Sequence, residues 1–195
     1  MMEQSSRFLS LSGLSGILIG IHALVGAYIA NKIIEFEVSS GHPFLNNYTT
    51  VSLLIYLAVI VLVLSFVTII FLTYRKTKRD GHKIWSKGTR LLMINLAVPL
   101  VSGGILTGIF IAREFYVIIA PLLLVFYGLA LVNASKFTRR EIYYMGLCQI
   151  VIGIIAALLP GYELLLWAFG FGVIHILYGT IMHFRYEHHS KTKKP

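Results

Sequence analysis

The chain is poor in charge. Asp, Glu, Lys and Arg together make up 13% of its 195 residues, and only eight residues are acidic. A soluble domain carries roughly 25% charged residues, so the composition excludes an ordinary soluble fold. Cysteine is almost absent. Cys148 is the only one, which excludes a disulfide within the chain and a cysteine-built zinc site. No Walker loop, dinucleotide fingerprint or paired-histidine metalloprotease motif occurs. No carboxylate lies deep inside an apolar run, where proton- and cation-coupled carriers keep one.

What the chain has instead is long apolar runs, with 57% hydrophobic residues overall. Six blocks stand out: Phe8–Ala30, Val51–Thr73, Leu91–Ala112, Phe115–Ala134, Ile142–Pro160 and Tyr162–Phe184. Helices need about 20 apolar residues to cross a bilayer, and they satisfy their own backbone in lipid. Barrel strands are shorter and alternate apolar with polar, which these blocks do not. The first block is too long, and its flank too poor in cleavage signals, for a signal peptide. The sequence therefore predicts an all-α polytopic membrane protein of one domain with six transmembrane helices.

The formal net charge of +9 raises the question of nucleic acid, and its distribution answers no. Arg75, Lys76, Lys78, Arg79, Lys83, Lys87 and Arg90 lie between blocks two and three. Lys136, Arg139 and Arg140 lie between four and five. Arg7 precedes the first block, and Arg185, Lys191, Lys193 and Lys194 follow the last. Of 17 basic residues, 15 fall on one side, with Lys32 and Arg113 on the other. The positive-inside rule then puts both termini and both basic loops in the cytoplasm. In the first of those loops, Arg75, Lys76, Lys78, Arg79, Lys83 and Lys87 are candidates to hold anionic lipid headgroups.

Short phrases recur. "GILIGI" begins at Gly16, "GILTGI" at Gly104 and "QIVIGI" at Gln149. "GLSGILIGIHA" from Gly13 matches "GLCQIVIGIIA" from Gly146 at seven of eleven positions. Tyr127-Gly128 and Tyr178-Gly179 sit alike near the ends of blocks four and six. The pattern predicts a helical hairpin used three times, over 8–73, 91–135 and 142–184, followed by a cytoplasmic tail at 185–195. Gly13, Gly16, Gly20, Gly104, Gly108, Gly146, Gly153, Gly172 and Gly179 are expected as packing surfaces. Small residues let helices approach closely where lipid removes the hydrophobic drive.

Glycine, an apolar pair and "IxxGIxAL" with a proline before the next helix resembles the repeat of the HdeD-like family of bacterial acid-resistance membrane proteins. Here Gly146, Ile150, Gly153, Ile154, Ala156, Ala157 and Pro160 carry it, as do Gly13, Ile17, Gly20, Ile21 and Ala23. Span three departs from it, with Val101 in place of the first glycine. The resemblance implies a six-span, stress-linked protein of the inner (plasma) membrane and brings no catalytic residues.

Polar residues within the spans are the candidate chemistry. Asn95, Gln149 and His175, with Tyr127 and Tyr178, mark a polar pathway for a small solute or a proton. Pro99 is placed to break span three and free carbonyls for it. His22 and His175 are candidate haem ligands. Ser15, in "GLSG", with His175 as base, is the candidate for an intramembrane serine protease. Each has a plainer reading as helix–helix glue. The expectation from the residues is a non-enzymatic protein without a cofactor or metal. Its partners are the bilayer, anionic headgroups and other membrane proteins. In the outer loop, Lys32 and Glu35 at helical spacing extend span one, and Gly41-His42-Pro43 turns the chain.

Overall fold

The computed structural model describes residues 13–41, 48–79 and 87–187. Among them there is no strand, and six helices are long and apolar enough to cross a membrane: Gly13–Ser39, Tyr48–Lys78, Lys87–Ala112, Tyr116–Phe137, Arg140–Leu158 and Glu163–Arg185. They are numbered here as spans one to six. The chain is an all-α polytopic bundle.

Why the helices end where they do follows from local chemistry. Span one continues beyond its apolar block to Ser39. Lys32 and Glu35 pair at 2.7 Å on its extension, and Asn31 donates to the same carboxylate at 2.6 Å. Gly41 ends it with a φ of 80°, and Gly161 turns spans five and six with a φ of 92°. Side chains are strained in that left-handed region and glycine is not. The turn between spans three and four uses Glu114 instead, with a φ of 62°. At the start of span six the Gly161 N–H donates to both oxygens of the Glu163 carboxylate, at 3.0 and 2.9 Å. In the outer loop after span one, His42 and Pro43 lie outside the described residues, as do Lys83 and the tail from His188.

Span three corrects one expectation. Pro99 lies inside an unbroken helix from Lys87 to Ala112 and is buried. Proline removes one hydrogen bond, and here its ring is spent on packing. Asn95, one turn earlier, donates to the Leu91 carbonyl of its own helix at 2.9 Å.

The two broadest contacts between spans join different hairpins. The broadest contact joins span four to span five, and spans one and six also meet along much of their length. Spans five and six, neighbours in sequence, pack less closely on each other. Glycine decides this. A Cβ on Gly128 would lie 2.6 Å from the Gly146 carbonyl oxygen, and one on Gly146 would lie 2.8 Å from that of Gly128. Across the other contact, a Cβ on Gly179 would lie 2.6 Å from the Gly13 oxygen, and one on Gly13 would lie 2.6 Å from the Gly179 oxygen. The matched phrases of spans one and five thus meet the matched Tyr-Gly pairs of spans six and four. Gly20 and Gly153, both seven residues further on, press on span six at Gly172 and Ile176 and on span four at Leu124 and Val125.

Gly104 and Gly108 depart from expectation. A Cβ at either would meet nothing within 4 Å. Span three packs on span four through the adjacent face instead, with Gly103 against the Phe126 ring and Thr107 buried. Span two turns to span one, where Val61 fills the space beside Gly26. The glycine flank of span three is left open.

Candidate functional site: a buried phenol, imidazole and amide

Spans four, five and six bring Tyr127, Gln149 and His175 together around one backbone carbonyl. Span six is π-helical from Phe169 to Ile174. A π-helical turn shifts the backbone ladder by one residue and is frequent at functional sites. The Gly170 oxygen in this turn accepts two side-chain bonds. Gln149 Nε2 donates to it at 2.8 Å, and His175 Nδ1 lies 3.2 Å from it. Tyr127 Oη lies 2.8 Å from His175 Nε2.

These contacts fix the protons. A carbonyl oxygen only accepts, so His175 Nδ1 carries the hydrogen. Its Nε2 is then an acceptor, and the Tyr127 hydroxyl donates to it. The same logic sets the Gln149 amide: Nε2 must face the Gly170 oxygen, which leaves Oε1 beside the Gly170 α-carbon. Gln149 is fully buried, and its Oε1 has no hydrogen-bond partner.

Aromatic stacking frames the cluster. The Tyr127 and His175 rings stack with centroids 5.4 Å apart, and Phe171 lies 5.0 Å from Tyr127 and 5.8 Å from His175. Trp167 continues the column at 5.2 Å from Phe171. Gly170 is required here. A Cβ on it would reach Leu124 Cδ2 at 2.5 Å and Gln149 Oε1 at 2.6 Å.

The sequence had named Tyr127, Gln149 and His175, and the structure joins them. Tyr178 packs nearby, with Tyr127, against Leu131, Ile142 and Met145. Asn95 is not among the bonded partners, since its amide is turned back on its own helix. Gly170, Phe171 and Trp167 were missed. The alternating "FGFG" of residues 169–172 was the available signal, because paired glycines inside a span ask for a reason.

The two histidine chemistries fare differently from the clamp. Both ring nitrogens of His175 are occupied by Tyr127 and Gly170, which leaves no lone pair for a haem iron. His22 is only partly buried, and its Nδ1 is buried without a partner. Ser15 is 1% exposed, but the lone pair a base needs on His175 is already turned to Tyr127. Among the described residues, no group of three or more His, Cys, Asp or Glu could hold a metal ion. Of the basic residues between spans two and three, Arg75, Lys76 and Lys78 ride the last turns of span two and Lys87 opens span three, while Arg79 ends the helix.

No family model, curated protein or solved structure matches the chain.

Proposed function

We propose that this chain is a non-enzymatic inner-membrane protein of the HdeD-like kind, acting in envelope stress or as a partner of other membrane proteins. Its three hairpins descend from one repeat, and both ends lie in the cytoplasm. One observation carries the non-enzymatic reading. The polar groups of the core are turned on one another, with the phenol on the imidazole and the imidazole and amide on the Gly170 carbonyl. That arrangement holds three helices in register and presents no free nucleophile–base pair. The like crossings of spans four and five and of spans six and one support the repeat. The excess of basic residues at one end supports the orientation.

A second reading is a small-solute or proton pathway through the bundle. The buried, unpartnered Gln149 Oε1 favours it, since such an acceptor asks for a donor. One experiment separates the two. Cells lacking the chain are challenged with acid and complemented with wild type or with Asn95→Leu/His175→Phe. The scaffold reading expects the double variant to restore survival as wild type does. Loss of rescue with normal amounts of protein in the membrane would favour the pathway. Survival unaffected by deleting the chain would remove the acid-stress role.

A further inference from the structure

We infer that span six is hinged at its π-helical turn, so that its half beyond the turn swings with spans one and two, away from spans four and five, at the basic end of the bundle. The Tyr127–His175 bond and the Arg185–Glu141 pair are the catches that hold it closed. This motion is independent of any role in stress.

Two kinds of contact hold the bundle together. Spans one and six meet backbone to backbone. A Cβ on Gly16 would lie 3.0 Å from the Gly179 Cα and 3.3 Å from the His175 oxygen, and one on Gly20 would lie 2.6 Å from the Gly172 oxygen. Spans four and five meet in the same way at Gly128 and Gly146. Such contacts contain no side chain to rearrange, and closely packed elements shift as blocks rather than deform. Span two packs on span one and belongs to that block.

The seam between the blocks is different. The outer end of span six, Glu163–Ala168, packs on spans four and five as well as on span one. Past the turn, the backbone of His175–Met182 packs broadly on span one and at most at isolated points on any other span among the described residues. Side chains fill the rest of the seam, with Ile174 and Tyr178 against Leu131, Ile142 and Met145. Side chains can repack by changing rotamer, so this seam can open where the glycine contacts cannot.

The change of neighbours falls at Phe169–Ile174, the π-helical turn. Sharp helix kinks occur at such turns, and this one holds Gly170 and Gly172, whose backbone is the freest to move. The Gln149 bond to the Gly170 oxygen sits at the pivot. The catches lie further along the arm. Tyr127 donates to His175 Nε2 at 2.8 Å, and Arg185 meets Glu141 at 3.2 Å with its own side chain 65% exposed. An ion pair so open to solvent holds weakly. From Gly172 to Arg185 the arm is about 20 Å long at helical rise. A change of about 20° at the turn, the size of a sharp kink, moves its end by about 7 Å. Opening separates the phenol from the imidazole and leaves both facing the widened seam.

The test is distance measurement by pulsed electron resonance between paired spin labels on the full chain in lipid nanodiscs, with Cys148→Ser removing the native thiol. All label sites are exposed residues. Tyr144→Cys with Phe184→Cys spans the seam at the basic end. Val117→Cys with Leu165→Cys spans it at the outer end, and Leu14→Cys with Phe184→Cys joins spans one and six. The expected result is that Tyr127→Phe/Arg185→Gln lengthens the first distance by about 7 Å and leaves the other two unchanged. Arg185→Gln alone, which leaves the buried core intact, is expected to populate the longer distance in part. A first distance unchanged in both variants would overturn the proposal. So would equal lengthening at the outer end, which would mean that the seam parts along its whole length. Lengthening between spans one and six would overturn it too, since span six would then be leaving span one.

Discussion

Gly179→Ala tests whether the bundle is held by backbone approach at its glycines. The new methyl would lie 2.6 Å from the Gly13 oxygen, 2.6 Å from the Ile17 nitrogen and 2.9 Å from the Gly16 carbonyl carbon. All three are backbone atoms, so no rotamer change relieves them. Ordinary Cβ contacts begin at 3.4 Å. Spans one and six must therefore part locally by several tenths of an ångström, and neighbouring contacts loosen with them. Overpacking of this kind costs about 1–3 kcal/mol. For a chain of this size that lowers the melting temperature by about 2–12 °C. Thermal unfolding in a mild detergent, followed by circular dichroism, measures it. Gly128→Ala is expected to behave alike, with its methyl 2.6 Å from the Gly146 oxygen. Gly104→Ala has the same chemistry at an open position and is expected to leave melting unchanged or raise it slightly, since alanine favours the helix by about 1 kcal/mol over glycine. Equal destabilisation at Gly104 and Gly179 would refute the reasoning.

Two further outcomes follow from the core and one from the lipid-facing surface. Tyr127→Phe strips the donor from a buried imidazole nitrogen and is expected to cost about 1–2 kcal/mol. A cycle with His175→Phe should show coupling of at least about 0.5 kcal/mol, and additive effects would mean the hydroxyl and the ring do not share a bond. Gln149→Leu gives up one bond worth about 0.6 kcal/mol but also removes the orphan Oε1, so its melting temperature should stay close to wild type. A large drop would show that Oε1 has a partner after all. Cys148 is exposed on span five and faces lipid in a membrane, so a hydrophilic maleimide should leave it unmodified in intact vesicles and label it after denaturation. Rapid labelling without denaturant would contradict the membrane placement of span five.

The features legible in the sequence were those that lipid itself dictates. Six apolar blocks had to be helices, because no other open structure satisfies its backbone there. Gly13, Gly16, Gly20, Gly146 and Gly153 read as contact surfaces, and each lies against another span. Gly104 and Gly108 read the same way and lie open. A stripe of small residues shows where a backbone can be approached and is silent on whether anything approaches. The spans were legible, but which of them pack most closely was not. Spans five and six are sequence neighbours, yet the closest contacts run between hairpins, where glycine meets glycine. The polar cluster was half legible. Tyr127, Gln149 and His175 stood out as costly residues in apolar runs. Their meeting point did not, because it is a backbone carbonyl at Gly170 in a π-helical turn, which the sequence marks only by the paired glycines of residues 169–172. Asn95 looked equivalent to Gln149, but its side chain reaches the Leu91 carbonyl one turn back in its own helix, an option open to any helical asparagine.

The central claim is that the polar core is a clamp between helices rather than a seat for a reacting group. Native mass spectrometry of the protein, extracted gently from its own membrane, tests it most directly. The account predicts the mass of the chain alone, or of the chain with phospholipid or a protein partner. A retained haem, metal ion or small solute, lost on replacing His175 or Gln149, would contradict it.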